Sequence, residues 1–534
     1  MDNSTSISRR GLIAAGAAVT AGAIACSQAV GTPALADEAS WDGEYDVIVC
    51  GAGMAGCCAA ITAITEDDAA TVLLLEKGDG PRGNSAYAAG YTIYAEDADK
   101  AYTGLKSLDG RANTPDDVLR AFAEGLVENG TWFNDLGAKE DWIIREKPGT
   151  SVEDALEDLP YDFPELSGYD ALGFIHFKTT DSDGPANTMT FLQTVMDEKK
   201  SDRLTYLTET PMERLIQDEQ TGEVTGIVAG GKRYRARGGV ILCTGGYEMN
   251  DEMRFNYTGV REAYPSVSTL NTGDGIREAM RVGADLWRMR GGQLYWTSPR
   301  NLDNDRFMSV IWDASTKQNG ITVGVNGRRF FMDYDGEMTC LDHASPDGDL
   351  STTVGWRHSM TNFGGHWVIA LPMPERSWFV FDQAGLDAGA IPPEVSSDPV
   401  ADGWAYSSDT IEGLAEQMGV PADELKRTCD AWNKSCDAGF DEAFYRPEDT
   451  LTPVRTAPFY AMLCVPQFDN TNGGPRRGAG AEVLDVDGNP IPHLYEAGEL
   501  GSVWGEYFQG AGDYADCAAF GRIAARNALK NLQA

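Results

Sequence analysis

Positive charge is what this sequence most lacks: 43 Lys and Arg stand against 82 Asp and Glu, leaving a formal net charge of −39. Phosphates would be repelled over the whole surface, which argues against nucleic acid or anionic membrane as a partner. Histidine is scarce at five residues, and no two are spaced to share a metal on one helix face, so no metal site is expected. Ten cysteines are too thinly spread for a disulfide scaffold. The absence of any Cys-x-x-Cys excludes a c-type haem attachment and a clustered iron–sulfur run. Cys50, Cys57, Cys58 and Cys243 fall in or beside apolar segments, where a free thiol packs as a small hydrophobe. Past the leader described next, no apolar run approaches the ~20 residues that span a bilayer.

Residues 1–36 stand apart from the rest. Ser8-Arg9-Arg10 precedes the alanine-rich apolar run Gly11 to Ala25, and Ala34-Leu35-Ala36 offers small residues to a peptidase. This is the pattern of a twin-arginine export signal, so a periplasmic or other extracytoplasmic location is expected. Ile24-Ala25-Cys26 leaves lipid attachment at Cys26 as an alternative. The twin-arginine route carries folded, cofactor-loaded proteins.

Glycine is abundant, at 60 residues, and its placement is informative. The buried-strand pattern Tyr45 to Cys50 runs into Gly51-Ala52-Gly53-Met54-Ala55-Gly56, followed by an apolar helix from Cys57. In such a unit the first glycine makes the tight turn, the second lets the backbone approach a pyrophosphate, and the third lets the helix pack on the strand. A second strand, Thr71 to Leu75, ends at Glu76, the place for an acid that accepts the ribose hydroxyls of an adenosine. FAD is preferred to a nicotinamide because a second small-residue loop follows, with Gly83-Asn84-Ser85 and Ala88-Ala89-Gly90, suited to threading beneath a flavin. Further strand ends or turns that would meet one large ligand are Thr244-Gly245-Gly246, Gly273-Asp274-Gly275, Ala497-Gly498-Glu499 and Gly510-Ala511-Gly512. The FAD contacts expected are Gly51, Ala52, Gly53, Ala55, Gly56, Glu76, Lys77, Asn84, Ser85, Ala89, Gly90, Met212, Thr244, Gly245, Gly246, Asp274, Asn470, Glu499, Gly510 and Asp513.

The order of these motifs, with Val325-Asn326, Arg329-Phe330, Gly473-Gly474 and Phe520-Gly521-Arg522, resembles the FAD-dependent fumarate reductase and 3-ketosteroid dehydrogenase superfamily. The resemblance implies an α/β fold: a Rossmann-like FAD-binding domain of the glutathione-reductase type (41–287 and 462–534), with an inserted α+β capping domain (288–461). It also implies where a fumarate reductase would hold its dicarboxylate, and all of those positions are changed. The first substrate histidine falls at Tyr295, the proton-donating arginine at Glu337, the second histidine at Asp469 and the clamping arginine at Phe508. A dicarboxylate would meet acids and aromatic faces in place of cations.

The catalytic candidates are therefore Tyr295, Tyr334 and Glu337 from the cap, Asp469 from the FAD domain, and Tyr507 beside the aligned Phe508. Ketosteroid-type relatives place a tyrosine hydroxyl near this last turn to draw charge from a substrate carbonyl as hydride arrives. The expected function is reduction of a C=C bond conjugated to a carbonyl, steroid-like ring or aromatic group. Electrons would come from a separate membrane-linked cytochrome or flavoprotein. The alternatives are a ketosteroid-type dehydrogenase, a fumarate-reductase-like enzyme for a small unsaturated acid, and a non-catalytic electron-relay flavoprotein. His176, with the polar run Lys178 to Asp183, is expected in a loop at the substrate mouth, and Arg476-Arg477 as an exposed basic pair, either solvated or drawing an anionic ligand.

Overall fold

The computed structural model describes residues 40–533 apart from 82, 89, 111, 147–165, 179–184, 186, 200–202, 266–267, 298–318, 331–375, 392–395 and 506–508. The leader 1–36 and Cys26 lie outside the described residues, as do Tyr334, Glu337 and Tyr507.

Val47–Cys50, the inner half of the strand Gly43–Cys50, and the strand Val72–Leu75 are uninterrupted apolar runs, the pattern of a parallel sheet covered on both faces. Alternate residues feed two separate cores. Val47, Val49, Val72 and Leu74 pack on one face, while Ile48, Cys50, Leu73 and Leu75 pack on the other. These strands pair in parallel with each other, and the sheet continues in parallel through Lys232–Leu242 to Pro490–Glu496 on one side and to Leu204–Leu207 on the other. An antiparallel flap, Met212–Gln217 with Val224–Ala229, leans on Lys232–Leu242.

Two helices cross the first face, Met54–Glu66 and Gly512–Lys530. Small residues let them close on each other: a Cβ on Gly521 would stand 2.7 Å from the Ala55 carbonyl. The burial of Arg522, whose guanidinium donates to the Gly125 carbonyl and to Asn129 Oδ1, ties in a third helix, Asp116–Asp135.

A second sheet is organised on the long strand Phe459–Thr471. Ser377–Asp382 and Gly292–Thr297 pair antiparallel to different stretches of it, and Gly320–Gly324 adds beyond Ser377–Asp382. Helices Ile411–Met418 and Ala422–Ala438 cover this sheet, the first capped by Thr410, whose hydroxyl accepts from the Gly413 N–H. The far end of the long strand delivers Asp469, Asn470 and Thr471 to the first sheet's glycine turns. A three-stranded antiparallel sheet places Leu172–Phe177 between Thr92–Ala95 and Ile143–Glu146. His176 therefore belongs to a central strand, and the expectation of a loop there was wrong: the Leu-Gly-Phe-Ile-His-Phe run pairs on both sides. Among the described residues no helix is long and apolar enough to cross a membrane.

Candidate active site

The glycine turn behaves as its spacing predicts. Gly51 takes φ +104°, where a side chain would be strained and would collide with the Cys243 carbonyl. A Cβ on Gly56 would collide with the Gly51 carbonyl, so helix and strand close only because that position is bare. Gly53 has nothing nearer than the Ser85 hydroxyl, leaving its backbone facing an open cavity. The helix Met54–Glu66 starts there with no side-chain cap of its own; Met54 N–H donates to Ser85 Oγ at 3.0 Å. A helix start with no acidic cap, opening on a cavity, favours phosphate.

The cavity measures about 640 Å³, within the range of cofactor clefts. At one end Glu76 accepts N–H bonds from Ala52 and Gly78 at 2.9 and 2.8 Å, fixing its carboxylate on the wall. Lys77 donates to Thr272 Oγ1, Asp274 Oδ2 and the Leu270 carbonyl, locking together the two loops that frame this end. In the middle, Thr244 Oγ1 is buried with no hydrogen-bond partner among the described residues, the mark of a ligand-facing hydroxyl. A second helix, Gly512–Lys530, also begins at this cavity with no side-chain cap, after Ala511 in a left-handed turn at φ +69°. These features fit a dinucleotide with its adenosine at Glu76 and its second ring system near the second helix start.

Of the expected FAD contacts, Gly51, Gly53, Ala55, Glu76, Lys77, Asn84, Ser85, Gly90, Met212, Thr244, Gly245, Asp274, Asn470, Glu499, Gly510 and Asp513 all lie on this one wall. Ala52, Gly56 and Gly246 do not; they stand behind it, as turn, helix contact and carboxylate contact. Ala89 is outside the described residues. Among the catalytic candidates Asp469 is on the wall. Tyr295 sits in the strand Gly292–Thr297 opposite Gln467, and its side chain is outside the description.

Several residues at the site are not among the expected contacts. Cys50, Cys243 and Cys517 line the cavity as buried thiols; burial pushes Cys50 up to about 12. They are packing groups and not nucleophiles. Asn271, on the wall, and Glu248, buried and off the wall, matter more. Asn84 Nδ2 donates to Glu248 Oε1 at 2.8 Å and to Glu499 Oε2 at 3.0 Å, and Asn271 Nδ2 reaches the same two oxygens. A Cβ on Gly246 would lie 2.5 Å from Glu499 Oε1 and 2.6 Å from Glu248 Oε2, which shows how closely the two carboxyls converge. Burial raises both above the ordinary carboxylate range, Glu248 to about 7.

The sign of that shift gives a test. A carboxyl raised on folding contributes stability that is present below its unfolded value of 4.5 and is lost as pH rises through about 7, an effect on the order of 3 kcal/mol. Glu248→Gln, permanently neutral, is expected to flatten the fall in thermal midpoint between acid and alkaline pH in protein freed of cofactor. Parallel wild-type and variant curves in a calorimetric pH series would contradict this.

Arg477 is not the surface cation that its sequence neighbourhood suggested. It is fully buried, with Nε 2.5 Å from Glu496 Oε1 and Nη1 2.6 Å from Asp516 Oδ1, and it donates to the Gly498 and Gly501 carbonyls on either side of Glu499. Its partners lie far along the chain, beyond the reach of local reading. No other Lys, Arg or His joins Lys77 on the cavity wall among the described residues.

The profile of the family described as FAD binding domain matches residues 46–513. The digoxin reductase of Eggerthella lenta is 26% identical over 97% of this chain and 94% of its own length. A probable fumarate reductase of Shewanella frigidimarina is 27% identical over 91% of this chain and 75% of its own. The crystal structure of 3-ketosteroid Δ1-dehydrogenase from Sterolibacterium denitrificans shares the fold, with a TM-score of 0.68 at 22% identity over 91% of this chain and 100% of that one. Motif geometry, cavity and similarity agree: the chain belongs to the FAD binding domain family and is an FAD-dependent oxidoreductase acting on C=C or CH–CH bonds.

Proposed function

We propose that this protein is an exported reductase of uncharged carbon–carbon double bonds conjugated to a carbonyl, ring or aromatic group, with residues 288–461 as its cap. One observation carries the reading. Besides Glu76, the wall holds Asp469, Asp513 and Glu499 with Tyr87, Tyr91 and Tyr514, while its one described cation, Lys77, is held by Asp274. Among the described residues, a dicarboxylate entering there would be desolvated beside acids with no guanidinium to receive it. A neutral conjugated substrate meets aromatic faces and polar donors. The relative named as a digoxin reductase supports this class of substrate.

FAD, when bound, supplies hydride. The chain's own residues have three tasks. The start of helix Met54–Glu66 and the Gly51 to Gly56 turn hold the pyrophosphate. Asn84, fixed through the Ser268 N–H on its Oδ1, keeps Glu248 and Glu499 together behind the cofactor. Asn470, donating to Asp513 Oδ2 at 2.6 Å, fixes the wall at the helix Gly512–Lys530. Electrons are supplied by a separate membrane-linked cytochrome or flavoprotein at the extracytoplasmic face. With reduced viologen as donor, cyclic enones, steroid enones and cinnamates are expected to be turned over at least tenfold faster than fumarate at equal concentration, a difference of about 1.4 kcal/mol. Preferential turnover of fumarate would overturn the substrate class.

A further inference from the structure

Tyr91 stands directly before the strand Thr92–Ala95 and lines the same cavity as the glycine turn and Glu76. Its ring stacks on that of His176, with centroids 4.2 Å apart and planes 27° apart. His176 Nε2 lies 3.4 Å from Glu146 Oε1 on the opposite edge strand, so a proton on Nε2 is directed at that carboxylate. The ring is thereby held from behind by two strands of a small sheet. Its hydroxyl makes no hydrogen bond among the described residues. The neighbouring cavity tyrosines differ: Tyr514 already donates to the Ser85 carbonyl, and Tyr87 is 56% exposed.

We propose that Tyr91 is the hydroxyl donor that binds and polarises the substrate's activating carbonyl, with His176 and Glu146 as positioning residues behind it. The inference rests on the conjugated-carbonyl reading above and names the residue that serves it. As the alkene accepts a hydride at its β-carbon from reduced flavin, negative charge gathers on the carbonyl oxygen, where a donor in a water-poor site is most effective. The α-carbon then takes one proton from water, giving the saturated ketone; Tyr91 keeps its own proton throughout. Burial, and then the Glu146 charge, raise the phenol above its usual range, so it remains a donor at neutral and mildly alkaline pH.

The test uses the FAD-loaded protein with cyclohexenone as oxidant of the reduced flavin and cyclohexanone as a ligand read by flavin difference absorbance. Tyr91→Phe should slow single-turnover oxidation by about 100-fold and weaken cyclohexanone binding by about tenfold, with FAD content and flavin absorbance unchanged. His176→Phe keeps a stacking ring and loses the bond to Glu146; it should lower kcat by about tenfold with KM nearly constant. The proposal is overturned if Tyr91→Phe reacts at the wild-type rate, or if it alters FAD binding or the flavin spectrum while cyclohexenone turnover is unchanged, which would place the hydroxyl on the cofactor. Should the wild-type protein reduce no conjugated carbonyl compound, the substrate reading fails; equal cyclohexanone affinities of wild type and Tyr91→Phe would then separately reject the role of Tyr91.

Discussion

Gly56→Ala is expected to produce a protein that no longer retains FAD. The added methyl would collide with the Gly51 carbonyl oxygen. Neither partner is a flexible side chain that can swing aside: one is the start of a helix and the other the first turn of the motif. Relief requires the helix Met54–Glu66 to move off the strand Gly43–Cys50, which carries the Met54 N–H away from Ser85 and the turn away from Glu76. Overpacking of this kind costs about 3 kcal/mol or more, and expressed at the pyrophosphate it lowers FAD affinity by at least about 100-fold. Gly80→Ala is the control, since a Cβ there meets nothing within 4 Å. Flavin absorbance per polypeptide after reconstitution reads the outcome directly. A Gly56→Ala protein with stoichiometric yellow cofactor would contradict the assignment of this turn.

Removing Arg477 should have the largest effect on stability. Its guanidinium is enclosed by Glu496, Asp516 and two carbonyls and lies 4.3 Å from the centroid of the Phe520 ring. Arg477→Met leaves two acids without their cation in the interior, and breaking one side of such a network costs about 3–5 kcal/mol. Glu496, which burial already pushes up, can take a proton; Asp516, which also accepts the Val503 N–H, bears the remainder. The deficit should therefore shrink as pH falls, and adding Glu496→Gln to Arg477→Met should restore part of the lost thermal midpoint. The same substitution frees the Gly498 and Gly501 carbonyls that shape the turn carrying Glu499, so FAD retention should weaken in parallel. An Arg477→Met protein as stable as wild type would show that the network is electrostatically idle.

These two positions also mark what the sequence could and could not reveal. The Gly51, Gly53 and Gly56 spacing is a local steric requirement, readable from adjacent residues, and Glu76 follows at a distance set by one helix and one strand. Arg477 looked like half of an exposed basic pair because its neighbours are Gly473, Gly474, Pro475 and Arg476; only the fold brings Glu496 and Asp516 to it. Glu248 is similar. In the chain it is a single acid beside a tyrosine, whereas in space Asn84, Asn271 and Glu499 converge on it from three different elements. His176 escaped because its strand contains one polar residue in an apolar run, and a central strand was mistaken for the edge of a loop. Tyr91 gave no motif at all: its candidacy comes from its stack on His176 and from its place on the cavity wall.

The most direct measurement is anaerobic stopped-flow oxidation of the reduced FAD-loaded protein by single substrates, followed at the flavin absorbance. A cyclic enone should return the flavin to its oxidised spectrum in a saturable, single-exponential phase, while fumarate at the same concentration leaves it reduced over that interval. Rapid reoxidation by fumarate with none by the enone, or a flavin that responds to neither and only to a protein electron carrier, would contradict the account.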